Sequence, residues 1–328
     1  MRKRNAIVRT GRTVALVSLM ISTAWLAASC SGDGPTNGTP TGSVELDILE
    51  IYDPGSDVWT EGAVLPIPRS ESVSAVFDGK LYVVGGLDYR KEETYAVVHI
   101  YDPTTDAWAT GALMPTTRYG AAAGVIDGKL YVAGGESQQG NVNVLEVYDP
   151  VTDTWDDSKQ SMPTARRWAV GGVIDGKLYV VGGYTTQDTD ILEIYDPATD
   201  SWDTSKRDMA TARGQAAGGV INGKLYVVGG YLPSEVLTGV LEVYDPVADS
   251  WVGKSAMSII RGEAADGVID GKLYVVGGVL QSDAISASLE VYDPATDGWT
   301  TIKAMGYVRA EATAEVINGK LYVVGGYR

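Results

Sequence analysis

The chain repeats one pattern six times, and no other feature constrains its folding as much. Tyr-Asp-Pro followed by Trp recurs as Tyr52…Trp59, Tyr101…Trp108, Tyr148…Trp155, Tyr195…Trp202, Tyr244…Trp251 and Tyr292…Trp299, with Tyr-to-Tyr spacings of 49, 47, 47, 49 and 48 residues. A glycine doublet keeps step: Gly85-Gly86, Gly134-Gly135, Gly182-Gly183, Gly229-Gly230, Gly277-Gly278 and Gly325-Gly326. So does a single arginine: Arg69, Arg118, Arg166, Arg213, Arg261 and Arg309. A unit this short cannot bury its own apolar face, so the copies must pack on one another.

One unit, residues 166–209, shows what each copy forms. Trp168 to Ile174 reads as a first strand, poor in bulk. Asp175-Gly176 is a two-residue hairpin signal of type I′, whose twist matches that of the strands. Lys177 to Val181 alternates and is β-branched, giving a second strand. Gly182-Gly183 ends it, by a positive φ or a close backbone approach. Leu192 to Tyr195 is the third strand. Asp196-Pro197 then starts a turn, with Asp as acceptor and Pro presetting φ. Trp202 opens a fourth strand running toward Met209. Four strands in a period near 48 describe a propeller blade.

Composition agrees. Gly 40 in 328 residues is about twelve per cent against a usual seven. Ala and Gly crowd the first strand: AAAG at 121–124, AVGG at 169–172, QAAGG at 215–219 and EAADG at 263–267. Small residues suit the innermost strand of a tapering blade. Tyr 19 and Trp 8 against Phe 1 suit rings that fill the wider space between blades, each burying roughly 150–250 Å².

At GKLYVVGG, LEVYDPATDGW and MPTARR the sequence resembles the kelch repeat, over about residues 44–328. The resemblance implies an all-β, six-bladed propeller. It is weak for function, because the fold hosts many. The body opens with strands three and four, Val44 to Tyr52 and from Trp59. It closes with strands one and two, Glu311 to Ile317 and Lys320 to Val324. The last blade is expected to be a composite of both ends, so that no long sheet edge stays free. A monomer is expected.

Residues 1–29 read as a leader. Arg2, Lys3, Arg4, Arg9 and Arg12 precede an apolar run from Thr13 to Ala28, and no acidic residue occurs before Asp33. The run is short for a spanning helix, which needs about 20 apolar residues. It fits a secretory signal. Ala27-Ala28-Ser29-Cys30 resembles a bacterial lipobox, which implies that Cys30, the only cysteine, is lipidated and becomes the mature N-terminus. Leu26 lies one place upstream of the usual Leu. Residues 30–43, with Ser31 to Ser43 rich in Gly, Ser, Thr and Pro, form a tether to a membrane surface. Ser31, where Asp would favour inner-membrane retention, points to the outer membrane of a two-membrane envelope. The propeller spans 44–328.

Several function classes fall away. One Cys and one His leave no disulfide framework, no multi-cysteine metal site and no two-histidine motif. They also exclude galactose-oxidase-type copper chemistry on kelch blades. The net charge of −16 becomes −21 with 21 basic against 42 acidic residues once the leader is set aside, which argues against nucleic acid. No cofactor or metal is expected.

The Asp-Gly and Asp-Pro turns share one face and barely vary. The loops after Gly-Gly and the Met…Arg links share the other, where ligand loops on a rigid scaffold concentrate. The six arginines form a ring on that variable face. An anion collar is one reading. Glu50, Glu146, Glu193, Glu242 and Glu290, each two residues before a repeat Tyr, favour a structural ion pair in every blade. His99 stands at the same position in its copy and reads as a substituted partner.

Residues that break the symmetry are the ligand-binding candidates: Tyr119, Arg167, Trp168, Tyr184, Tyr231, Glu263, Glu311 and Tyr327. Glu71 and Gln215 share the start of strand one with some of them. Trp168 is the one Trp of the body outside the repeat position. Aromatics with carboxylates and Arg around a funnel suit a glycan or a peptide segment, set against ordinary solvation of a rim. Glu263, Asp266, Glu311 and Glu315 lie on inner strands; no catalytic residue is assigned. The reading is an extracytoplasmic binding or scaffold module for a protein or glycan. The alternative is a sugar enzyme resembling the six-bladed periplasmic sialic-acid mutarotases, with Glu263 or Glu311 and Arg167.

The leader generates one prediction. Mass spectrometry of the exported protein should show cleavage before Cys30 and acylation of that residue, with globomycin blocking the step. An unmodified mature chain that keeps Cys30 internal sinks the lipoprotein reading.

Overall fold

A computed structural model describes residues 44–328; the leader, Cys30 and the tether lie outside the described residues. Among the described residues every regular element is a strand. Six four-stranded antiparallel sheets follow one another as blades I (73–111), II (122–156), III (170–203), IV (217–254), V (265–302) and VI. In blade III the strands are Val170–Ile174, Lys177–Val181, Leu192–Asp196 and Ser201–Asp203, side by side in chain order. Blade VI joins Leu49–Asp53 and Val58–Gly62 to Thr313–Ile317 and Lys320–Val324, with Leu49 opposite Val324 and Tyr52 opposite Leu321.

Some strands are shorter than their sequence suggests, and each has a local cause. The inner strands begin at Val170 and Thr313, not at Trp168 and Glu311, because those two residues have φ of 59° and 53° and cannot pair in a ladder. The outer strand of blade III stops at Asp203, whose carboxylate accepts the Ser205 N–H (2.8 Å) and turns the chain. The opening strand runs over Leu49–Asp53. Upstream of it, among the described residues, only Glu45 makes a bridge, to Tyr327. Asp175 and Gly176 both have positive φ, 49° and 72°, as a type I′ turn requires.

The junctions between blades carry the core. Tyr195 of blade III is fully buried against Tyr131, Leu145 and Met162 of blade II. Its hydroxyl donates to Asp200 (2.6 Å), which also accepts the Gln160 N–H from blade II (2.9 Å). Trp202 packs beside it, ring centroids 5.2 Å apart, and its Nε1 donates to the Gln160 carbonyl (2.9 Å). Tyr, Asp and Trp thus grip the segment that follows the outer strand of the preceding blade. The Trp-to-carbonyl bond recurs at all six junctions.

The glycine doublet and the arginine belong to one device. The second glycine donates to the arginine carbonyl of the next blade, as Gly183 does to Arg213 (2.9 Å) and Gly326 to Arg69 (3.0 Å). A Cβ on Gly182 would stand 2.6 Å from the Arg213 oxygen, and φ there is +67°. Both demands exclude any other residue.

Each arginine side chain turns into its own blade and is 1 % exposed. Arg118 reaches Glu146 (3.0 Å), Arg166 reaches Glu193 (2.9 Å), Arg213 reaches Glu242 (3.0 Å), Arg261 reaches Glu290 (2.7 Å) and Arg309 pairs with Glu50. The ring is therefore closed off from solvent and is not an anion collar. In blade I, Arg69 donates to His99 Nδ1 (3.0 Å) and to the carbonyls of Ile67 and Val83. Burial, and then the Arg69 charge, push His99 down to about 4. His99 is neutral, and Arg69 has no carboxylate.

Two substitutions test this reading by thermal and denaturant unfolding. Arg213→Ala leaves Glu242 buried and unpaired and should cost about 3–5 kcal/mol. His99→Glu supplies the missing carboxylate and should change stability by less than Arg213→Ala does, since desolvation of the added charge offsets its attraction to Arg69. Equal stability of Arg213→Ala and the parent would contradict the structural assignment.

Candidate functional site

Six residues, one from each crossover between blades, close a ring of backbone hydrogen bonds around the axis. Gly120 N–H donates to Glu71 O (3.0 Å), Trp168 to Gly120 (2.7 Å) and Gln215 to Trp168 (3.1 Å). Glu263 donates to Gln215 (3.0 Å), Glu311 to Glu263 (2.9 Å) and Glu71 to Glu311 (2.9 Å). All six are left-handed, with φ between 52° and 60°. Such a conformation costs a residue other than glycine roughly 1–2 kcal/mol, so five of the six members are held there by the ring. Trp168, which the sequence sets apart from the repeat, therefore has a repeated backbone role. Only its side chain is singular.

The ring surrounds a cavity of about 200 Å³, lined by Glu71, Trp168, Gln215, Glu263, Glu311 and Asp266 with the alanines beside them. It opens on the variable face. A larger groove of about 640 Å³ lies on the turn face between blades II and III. Lys129–Asp149 (3.0 Å) and Lys177–Asp196 (2.7 Å) line it, and every blade repeats that pair. The larger groove also holds the Lys159–Asp156 pair (3.0 Å), and its other charged pairs are the ones that every blade repeats.

Of the sequence candidates, Trp168, Glu263 and Glu311 line the smaller cavity, and the others stand around these residues. Trp168 Nε1 donates to Glu71 Oε2 (2.6 Å). The Arg167 guanidinium stacks on Trp168, 3.8 Å from its centroid, lies 5.1 Å from the Tyr184 ring and forms an ion pair with Glu136. Tyr231 and Tyr327 both donate to Glu263 (3.2 and 2.9 Å). Tyr119 is half-buried and pairs its backbone with Glu136 (3.0 and 2.9 Å). Tyr184 and Tyr327 are 4 % exposed, and Tyr184 donates to the Thr186 carbonyl (3.0 Å). These two tyrosines support the wall and are not an open aromatic rim. Their ring faces have neighbours to pack on, and rim solvation would have left them exposed.

The sequence reading assigned no role to Tyr89. Its hydroxyl sits between Glu71 and Glu311, 3.1 Å from the latter. A signal was present: the stretch between Gly86 and Val98 is longer than its counterparts in blades II to V and carries an aromatic amid charges.

The carboxyl groups at the mouth and below it are shifted toward their neutral forms. Burial raises Glu263 to about 7, with Glu71 adding to the shift and the two tyrosines opposing it. Burial raises Asp266 to about 7 against its bond from the Gly218 N–H (3.1 Å). Burial, then the nearby Asp266, raises Glu315 to about 7. Glu71 is raised by burial, against bonds from Tyr89 and Trp168. Glu311 is pushed well up by burial and by the charges of Glu71 and Glu263. Such a cluster holds protons near neutrality and can accept or donate hydrogen bonds to a polar ligand.

Raised carboxyls stabilise the fold below their unfolded values, and that contribution is lost as pH rises through about 7. The chain should melt at a lower temperature at pH 8 than at pH 5.5, and Asp266→Asn should narrow the gap while keeping the acceptor for Gly218. A gap unchanged in Asp266→Asn would show that this group does not titrate as described.

Comparison with known proteins follows the same lines. A family model described as the KLHDC2/KLHL20/DRC7 Kelch-repeats domain matches residues 65–230, and the Kelch motif matches 212–258 and 260–306. Kelch-like protein 35 of Homo sapiens is 54 % identical over 43 residues, 13 % of this chain and 7 % of that protein. Kelch-like protein 35 of Mus musculus is 50 % identical over 46 residues, 14 % and 8 %. Kelch repeat and BTB domain-containing protein 12 of Homo sapiens is 50 % identical over 46 residues, 12 % and 7 %. These matches span only 7–8 % of the length of the curated relatives. A solved structure titled "Structure of YjhT" superposes with a TM-score of 0.68 at 19 % identity, covering 81 % of this chain and 92 % of that one, a likeness of fold. With motifs matched from blade to blade over a six-bladed ring, the chain belongs to the kelch-repeat family.

Proposed function

We propose that this chain is an extracytoplasmic binding module, tethered through Cys30, that recognises a protein or a glycan at the channel mouth on its variable face. One observation carries the reading. The residues that break the repeat converge on one small cavity, while the opposite face repeats the same Lys–Asp pair in every blade. A scaffold needs only the repeated residues; a recognition site needs the others. At about 200 Å³ the cavity is below the usual ligand-pocket range of roughly 300–1,000 Å³. It suits one sugar ring or one side chain of a larger partner seated on the loops around it.

A second reading, an enzyme of the mutarotase kind acting on a small sugar, draws on the raised Glu263 beside Glu71 and Glu311. Carboxyls that burial holds in their neutral forms near neutrality can give and take protons on a sugar. The two readings divide by assay. A binding module gives hits on a glycan array or against cell-envelope proteins and leaves the exchange of sugar anomers, followed by NMR, at the rate of water. An enzyme accelerates that exchange.

For a hit from the array, Trp168→Ala should weaken binding by at least about 2 kcal/mol, roughly thirtyfold, in a calorimetric titration. Lys177→Ala, on the opposite face, should leave it unchanged. The reverse pattern would move the site to the turn face.

A further inference from the structure

We propose that residues 87–97 form a strap over the channel mouth, latched by a proton that Glu71 and Glu311 share and released when both groups ionise. The strap leaves blade I after Gly86 and folds into a small hairpin, Leu87–Asp88 against Glu93–Thr94. Its root is held by backbone bonds. Leu87 and Ser70 exchange both N–H groups (2.9 and 2.9 Å), and Tyr95 N–H donates to Gly86 O (2.8 Å). Its tip crosses onto blade VI. Glu45 accepts the Tyr89 N–H (3.0 Å) and Arg90 Nε (3.0 Å), while Lys91 pairs with Asp88 on the strap itself (2.5 Å). The Tyr89 ring packs edge-on to Tyr327, centroids 6.1 Å apart, beside Ala310 and Val279. Its hydroxyl ends between Glu71 and Glu311.

The latch follows from the number of hydrogens available. With one proton between the two carboxyls, the tyrosine hydroxyl and the carboxyl O–H together satisfy the cluster. With none, the Trp168 Nε1–H is taken by Glu71 Oε2 (2.6 Å), the Tyr89 hydroxyl hydrogen alone is left between the two anions, and Glu311 Oε2, which is buried with no hydrogen-bond partner, becomes part of a full charge. Two carboxylates in contact cannot both ionise cheaply. The remaining groups relieve the repulsion on the Glu71 side only, where Trp168 Nε1 donates to Oε2. Glu263 adds negative charge, and its oxygens are taken by Tyr231 and Tyr327. Tyr119 contributes an un-ionised ring, raised by burial and by Glu71. Among the described residues the Arg167 charge acts on Glu71, but its guanidinium is stacked on Trp168 and paired with Glu136, and Arg90 on the strap is held by Glu45. Water is the remedy, and it enters when Tyr89 leaves.

The closed strap therefore binds one proton more than the open strap. It is fully latched at low pH and lets go as pH rises, its opening constant growing about tenfold per pH unit through the titration. The proposal adds regulation to the mouth read above as the binding site. Its test uses no ligand, so failure of the strap and failure of the binding reading are seen separately.

Hydrogen exchange of the full mature chain, followed by mass spectrometry from pH 6 to 9 and corrected for chemical exchange, reads the latch. Protection of residues 87–97 should fall about tenfold per pH unit and stay below that of Lys177–Val181, whose exchange follows global unfolding. Glu311→Gln keeps a neutral hydrogen-bonding group and should make the strap protected and independent of pH. Tyr89→Phe should lower protection at every pH and flatten the slope. Constant protection of the parent strap overturns the proposal, as does a slope that persists in folded Glu311→Gln. Should Glu311→Gln fail to fold, Tyr89→Phe decides by the same slope.

Discussion

The arginine at each crossover is the constraint on which the ring depends. Its backbone carbonyl accepts from the glycine doublet of the preceding blade, and its side chain runs into its own blade. One residue thus belongs to two blades. A buried ion pair is weak evidence of net stability, since desolvation offsets the attraction, but an unpaired member is costly. The pair therefore fixes how the blades meet more than how tightly they hold. Blade I shows how far the device tolerates change. His99 replaces the carboxylate, and backbone carbonyls take up the Arg69 donors.

With the junctions held by backbone, Tyr, Trp and Arg, the inner ends of the blades are free to differ. The ring of six left-handed residues closes through main-chain atoms only, so their side chains are chosen for other reasons. They are Glu71, Gly120, Trp168, Gln215, Glu263 and Glu311. Three carboxyls around one axis would repel if all were ionised. Tyrosine hydroxyls, the Trp168 N–H and raised protonation make the arrangement tolerable. The same features make it sensitive to pH and receptive to hydrogen-bonding groups. Recognition and regulation are both readings of this one arrangement.

The kelch family explains the architecture and leaves the ligand to the individual chain. The two faces divide that labour. The turn face carries six copies of one Lys–Asp pair, and the ring at the mouth carries three Glu with a Gly, a Trp and a Gln.

Repeat length, blade count, the turns and the Arg–Glu pairing were legible in the sequence. Each rests on contacts that the blades make alike, and five copies of the Glu50-to-Tyr52 spacing, or six of Gly-Gly, show what repeats. The backbone ring was not legible. Glu, Gly, Trp, Gln, Glu and Glu share no side-chain chemistry, and the left-handed turn they adopt is imposed by neighbouring blades and not by local preference. For the same reason Trp168 stood out as irregular although its backbone is regular. Tyr184 and Tyr327 read as rim residues because exposure depends on what packs above them. Tyr89 reaches its partners across blade VI, from a loop far away in the chain from Glu311. Such a contact exists only once the ring has closed, because closure alone brings the two ends of the chain to the same axis.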